Sequence, residues 1–183
     1  GSIPDGCTTI DDITNTSIEY NSKGVSIAGS STLTITGGTI SNNTGVGLYY
    51  DSTSSTTSVL SGVTISKNEN GGVHLVNGKL TLAAIADATT IPTQVTENET
   101  FGIKVSGGTL TLSQVKLESN KISSGNAALY VASGATANVT NGTISSNIIM
   151  GATEGNAIYV AGTLTLGGAL TVSNSANCAR LYV

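Results

Sequence analysis

The chain has 183 residues, of which 10% are charged, with 23 glycines, two prolines, no tryptophan and a formal net charge of −4. An acidic balance with no Lys/Arg cluster excludes the basic track that a phosphate backbone requires, so no nucleic-acid partner is expected. No apolar run is long enough for a membrane-spanning helix and no stretch carries helical periodicity, which leaves an all-β chain with a thin aliphatic core.

The chain is a repeat, and its register shows on the apolar residue three places before an Asn. Ile18 leads to Asn21, Ile40 to Asn43, Ile65 to Asn68, Val95 to Asn98, Leu117 to Asn120 and Ile144 to Asn147. A seventh copy departs from the pattern, Val172 being followed by Asn174 and Ser175. A second strand follows most of these, with inward pairs Val25/Ile27, Val46/Leu48, Val73/Leu75, Ile103/Val105, Leu129/Val131 and Ile158/Val160. A third carries Leu33/Ile35, Leu80/Leu82, Leu110/Leu112, Ala137/Val139 and Leu164/Leu166. The period, roughly 21 to 30 residues, is that of a solenoid. Each strand alternates apolar with polar residues, so one face is buried and one is wet. A three-strand unit cannot bury its face alone, but stacked units bury a continuous column. An Asn recurring at one register can then hydrogen-bond its copies above and below. The expected fold is a right-handed, single-stranded parallel β-helix of about six to seven coils of three short strands, spanning 1–183 as one domain.

In chain order, residues 1–14, with Cys7 and Asp11-Asp12, fit the repeat poorly and are expected to form an incomplete first coil or cap. Asp11-Asp12 reads as a solvated turn, and no metal or cofactor site is predicted anywhere. Residues 51–57 are expected to be a polar loop. Residues 83–93 are the longest insertion, Ala-rich enough for one helical turn that Pro92 would end. Cys7 and Cys178, in the first and last coils, lie too far apart along such a rod to bridge within one chain. The Gly1-Ser2 start resembles a cloning scar and no signal peptide is legible. Ala179–Val183 matches the strand opening Asn156–Val160 and then stops. These ends predict either a piece of a longer protein or an end that pairs with another copy.

The segment Ile65-Ser-Lys-Asn68-Glu-Asn-Gly71-Gly72-Val73-His-Leu75 resembles the paired signature of the polymorphic outer membrane proteins. In that family a Phe-x-x-Asn strand end precedes Gly-Gly-Ala-Ile. Fainter copies run from Ile40 to Leu48, Val95 to Val105 and Ile144 to Val160, and similar repeats occur in autotransporter passengers. The resemblance implies an exported bacterial surface adhesin, anchored in the outer membrane through regions outside this segment. Its partner would be a glycan or protein of a host or cell surface.

Three function classes follow from the outward columns. Tyr130, Tyr159 and Tyr182 fall on one outward column, a candidate binding strip for sugar or protein, because a Tyr ring has an apolar body and a polar tip; the structural alternative is cross-strand stacking that only stiffens the sheet. Glu69 and Glu99 fall on adjacent coils near Lys121, with Lys67 beside Glu97. Two carboxylates at such spacing suit a retaining glycosidase, and the alternative function is a polysaccharide-degrading enzyme, lyase or glycoside hydrolase, of the pectin-lyase-like fold; otherwise they form a solvated charge cluster. The outward pairs Thr32/Thr34, Thr109/Thr111 and Thr163/Thr165, with Thr81, resemble an ice-binding array interrupted by Lys79, Val59 and Asn138. His74, the one histidine, should point outward beside Lys104, a solvated side chain rather than a base. No catalytic residue is assigned, and the leading expectation is a non-catalytic adhesin or spacer.

Overall fold

The computed structural model describes residues 9–86, 90–150, 156–173 and 179–182. These form a parallel β-solenoid whose coils share three sheets of eleven, seven and three strands. Among the described residues there is no helix. The seven-stranded sheet stacks Val25–Gly29, Leu48–Ser52, Val73–Asn77, Ile103–Val105, Ala127–Val131, Asn156–Val160 and Ala179–Tyr182, all parallel. The eleven-stranded sheet turns a corner within itself. In its later coils one ten-residue strand crosses that corner, as in Thr109–Glu118, Thr136–Ser145 and Thr163–Val172. The three-stranded sheet pairs Glu99–Thr100, Lys121–Ile122 and Ile148–Ile149.

Alternation explains the core. Inward residues such as Leu75, Val105, Leu82 and Leu112 are buried on successive coils, and one cluster runs from Val25 to Val160. The reference column Ile18, Ile40, Ile65, Val95, Leu117, Ile144 and Val172 stacks in the expected register.

After each of these apolar residues the chain must turn sharply. The residue two places on, at Tyr20, Asn42, Lys67, Glu97, Ser119 and Ser146, takes a left-handed conformation with φ between 54° and 59°. Left-handed backbone costs an L-residue about 1–2 kcal/mol, so something must hold the corner. The next residue does so. Asn21, Asn43, Asn68, Asn98, Asn120 and Asn147 form a ladder in which each Nδ2 donates to the Oδ1 of the next, at 2.8 to 3.3 Å. Each backbone N–H from Asn21 to Asn120 donates to the same Oδ1, at 3.0 to 3.2 Å. From Asn43 onward, Nδ2 also donates to the carbonyl of the apolar residue one coil back. The interior Asn residues are at most 1% exposed, yet their polar atoms are paired, as buried amides require.

Beside the ladder runs a column of the smallest residues, Gly24, Gly47, Gly72, Gly102, Ala128 and Ala157, each preceding or opening a strand of the seven-stranded sheet. A Cβ at Gly72 would sit 2.6 Å from the Gly102 carbonyl oxygen and 2.9 Å from Asn98 Nδ2. The neighbouring Gly71 is required for a different reason. The one Phe, Phe101, lies where a Gly71 Cβ would come within 2.3 Å of its ring. That accounts for a Gly-Gly pair in this coil.

Three expectations need correction. The inward pair of the second coil is Leu48/Tyr50, not Val46/Leu48: Leu48 stacks on Val25 and Tyr50 on Ile27, and Val46 lies before the strand. Both pairs obey the same alternation, so only stacking decides between them. The Tyr50 hydroxyl, fully buried, lies 2.7 Å from Ser58 Oγ, which accepts the Leu33 N–H at 2.8 Å. Ser58 sits in register with Leu80, so a large ring on one sheet is matched by a small residue on the other. Second, Asp51 and Ser52 belong to a strand, which shortens the polar loop. Third, the insertion is no helical turn where it is described. Ile85 and Ile91 pair as an antiparallel bridge, with N–H···O distances of 2.8 and 3.1 Å. Buried Thr93 closes its neck, donating to the Ala83 carbonyl at 2.6 Å and accepting the Val63 N–H at 3.2 Å. Residues 87–89 lie outside the described residues. At the start, Thr9–Thr14 is a strand paired with Thr32–Thr36, so the irregular beginning adds a strand to the first coil from residue 9.

Replacing one interior rung removes the acceptor that serves the backbone N–H and Nδ2 of the preceding rung. Asn98→Ala leaves the buried Asn68 N–H unpaired and removes the bonds of Asn98 with Asn68 Nδ2, Asn120 Oδ1 and the Ile65 carbonyl, at about 1–3 kcal/mol per buried group left unsatisfied. Urea unfolding should therefore show a loss of about 3 kcal/mol or more for Asn98→Ala and about 1 kcal/mol for Asn21→Ala, which sits at the half-buried first rung. Equal losses at the two positions would refute the ladder as the stabilising element.

Candidate functional site: an aromatic and cationic stripe

The strict register of the seven-stranded sheet converts one outward residue per coil into a continuous line. Ser26, Tyr49, His74, Lys104, Tyr130 and Tyr159 stand in successive strands at the same position. Tyr49, His74, Lys104, Tyr130 and Tyr159 are all half-buried, packed against neighbouring coils. Tyr130 and Tyr159 stack with ring centroids 4.7 Å apart and planes 13° apart. Lys104 Nζ lies 5.4 Å from the Tyr130 centroid, and Lys23 Nζ lies 5.5 Å from that of Tyr49. Both are within the range of a cation–π contact. Tyr49 meets His74 edge to face at 5.5 Å, and His74 meets Phe101 at 6.1 Å.

Two of the three tyrosines of the expected strip are thus brought together. The strand Ala179–Tyr182 continues the column with Tyr182 in register with Tyr159, but the side chain of Tyr182 lies outside the described residues. Sequence reasoning missed Tyr49, Lys23 and Phe101. Tyr49 was hidden by the two-residue misplacement of the second coil, which moved it out of the column. With Leu48 placed on Val25, it falls in line with His74.

His74 is more than a solvated ring. Its Nε2 lies 2.9 Å from Ser106 Oγ, two residues beyond Lys104 on the next coil. Burial, and secondarily the Lys104 ammonium, hold its pKa below the ordinary histidine range. The imidazole therefore tends to neutrality and behaves as a fourth ring of the stripe, beside Tyr49, Tyr130 and Tyr159.

The remaining columns lie elsewhere. Lys67 and Glu97 approach to 3.7 Å, and Lys121 and Glu99 to 2.9 Å, all four side chains about half exposed. Such exposed pairs contribute at most about 1 kcal/mol. The Glu99 carboxylate is thus engaged by Lys121. Among the described residues no group of three or more His, Cys, Asp or Glu converges on a metal-sized site. The Asp11 and Asp12 side chains, Cys7 and Cys178 lie outside the described residues. The threonines occupy the outer face of the eleven-stranded sheet. Thr109, Thr136 and Thr163 align on consecutive coils, and Thr81 and Thr111 align beside them, with Asn138 interrupting before Thr165. Where the two larger sheets meet, an open cleft of about 310 Å³ is lined by Ser52, Asn77, Lys79 and Thr109 among others.

The depressed His74 pKa makes stability pH-dependent in a defined direction. Above the unfolded-state pKa, about 6.5, His74 is neutral in both states and contributes no slope. As pH falls below that value the unfolded chain takes the proton first, so stability declines until the folded pKa is passed. His74→Gln should flatten the urea-midpoint profile between about pH 7 and 5 relative to the parent. Parallel profiles for parent and variant would show that His74 is no more buried folded than unfolded.

The family model described as "Right handed beta helix region" matches residues 11–89. No curated protein matches the chain, and no solved structure does. Stacked parallel strands continue in the same register beyond the matched segment, to Tyr182. The chain folds as a right-handed parallel β-helix, and residues 11–89 are similar in sequence to that family.

Proposed function

We propose that this chain is a non-catalytic binding module of a secreted or surface-exposed bacterial β-helix, and that it holds an extended glycan on the outer face of its seven-stranded sheet. One observation carries the reading: the axial line of rings and cations at Lys23, Tyr49, His74, Lys104, Tyr130 and Tyr159. The stacked Tyr130 and Tyr159 turn a row of ring edges and hydroxyls outward, which suits the C–H groups and hydroxyls of a sugar. A β-helix supplies rigidity, so the rings are organised before a ligand arrives and little ordering cost falls on binding. The resemblance to surface-protein repeats supports display outside the cell, as an adhesin or a spacer that also binds.

The test is affinity electrophoresis against a panel of polysaccharides and cell-surface glycans. Tyr130→Ala and Tyr159→Ala, each confirmed folded by far-UV circular dichroism, should weaken binding about three- to tenfold, the size of one aromatic contact. Undiminished binding by both variants would move the site off this face. Binding to a surface protein in preference to every glycan would replace the glycan with a protein partner.

The aligned threonines carry a second reading, ice binding, since in-register hydroxyls on a flat sheet can order water. It predicts thermal hysteresis that Thr111→Lys abolishes. A parent protein that produces no hysteresis at millimolar concentration would remove this reading.

A further inference from the structure

The hydrogen bond between His74 and Ser106 joins a base to a nucleophile from the next coil. His74 Nε2 lies 2.9 Å from Ser106 Oγ, within the reach that proton transfer from an attacking hydroxyl requires. His74 is the one histidine, so no other serine of the chain has an imidazole beside it. The ring is held edge to face by Tyr49 at 5.5 Å and by Phe101 at 6.1 Å. Burial and the Lys104 ammonium depress its pKa, so at neutral pH the ring is unprotonated and able to accept. With the ring proton on Nδ1, Nε2 takes the Ser106 hydroxyl hydrogen. Ser106 is half-buried, one residue past the strand Ile103–Val105, and its backbone N–H is anchored to the Leu75 carbonyl at 2.8 Å.

The residues after Ser106 supply a second requirement, donors for a developing oxyanion. Gly107 and Gly108 follow directly, and neither backbone N–H donates to a backbone or side-chain acceptor among the described residues. Both positions demand glycine: a Cβ at Gly107 would sit 2.5 Å from the Val76 carbonyl oxygen, and one at Gly108, where φ is 72°, 2.3 Å from that of Gly78. An amide N–H immediately after a nucleophile is a recurrent oxyanion donor. The Lys104 ammonium, two residues before Ser106 on the same outward face, adds positive charge nearby. Gly108 also lines the open cleft of about 310 Å³ between the two larger sheets, with Asn77 and Thr109. A small substrate thus has a place two residues from the serine.

We propose that Ser106 is a reactive serine, activated by His74, that takes the acyl group of a small carboxylic ester held at the mouth of this cleft. Ser106 Oγ bonds to the ester carbonyl carbon as His74 Nε2 takes the hydroxyl proton, and the carbonyl oxygen, gathering negative charge, draws on the Gly107 and Gly108 N–H groups. The bond from that carbon to the alkoxide then breaks and His74 returns the proton to the leaving oxygen. The products are acyl-Ser106 and an alcohol. Among the described residues no carboxylate acts on the His74 ring. The pair therefore lacks the third member that orients the base for efficient turnover, and one acyl transfer per chain is expected. This chemistry stands apart from the glycan reading and leaves the glycan uncut.

The test treats the whole protein with a biotinylated fluorophosphonate, which loses fluoride as it joins a reactive serine oxygen, and separately with p-nitrophenyl acetate. Peptide mass spectrometry locates either label. Ser106 should carry at least about tenfold more label than any other serine, and p-nitrophenol should appear as a burst of about one equivalent per chain. Ser106→Ala, confirmed folded by far-UV circular dichroism, should remove both signals. His74→Gln, whose amide can still bond the serine, should slow labelling by about 100-fold, the low end of what a positioned general base contributes. Label spread over exposed serines and lysines without preference for Ser106 would overturn the inference. So would an undiminished rate in His74→Gln, or no label at all. None of these results bears on glycan affinity, and failure of the glycan test would leave the acylation standing. Continued turnover that Ser106→Ala abolishes would uphold the reactive serine and replace single acylation with hydrolysis.

Discussion

The asparagine ladder is the interaction on which the rest of the structure depends. Each coil must place a residue in the left-handed region immediately before the ladder position, and that corner is held by bonds to the coils before and after it. The ladder is buried and its polar atoms are paired, so a rung shifted by even one position would leave amides unsatisfied in an apolar interior. A hydrophobic stack alone tolerates sliding, because Val, Ile and Leu are nearly interchangeable in volume. Directional bonds at one position per coil remove that freedom.

Fixed register is what turns scattered residues into a surface. Tyr49, His74, Lys104, Tyr130 and Tyr159 are separated by some 25 to 30 residues each in the chain, yet they form one contiguous line on the seven-stranded sheet, with Lys23 reaching over Tyr49 from just before its first strand. The same logic aligns threonines on the eleven-stranded sheet and ion pairs at the ladder corner. A solenoid held this way offers several independent linear faces, of which the aromatic one combines apolar area with unusual charge. Its cations are stacked on rings, while those at the corner are neutralised by carboxylates.

Variable coil length is accommodated without loss of register because the irregularities are each closed locally. Thr93 ties the neck of the 84–93 insertion to Ala83 and Val63, so the chain re-enters the stack at Gln94 opposite Thr64. Tyr50 fills volume that the small Ser58 leaves and bonds to its hydroxyl. Phe101 covers the flat surface that Gly71 provides. In each case a side chain of unusual size or polarity is matched by a compensating residue one sheet or one coil away.

The fold was legible in the sequence because its determinants are local and periodic. An apolar residue three places before Asn, strict alternation on either side, and small residues at the corner all recur within each coil. They specified the solenoid, the ladder, the inward columns of most coils and the tyrosine pair. The tertiary structure decided what periodicity leaves degenerate. Val46, Leu48 and Tyr50 satisfy the same alternation, and only stacking on Val25 and Ile27 selects the last two. Thr93, Phe101 and the contacts of His74 with Tyr49 and Ser106 join residues from different coils. No short-range pattern encodes such pairs, because their meeting depends on the summed length of every turn between them.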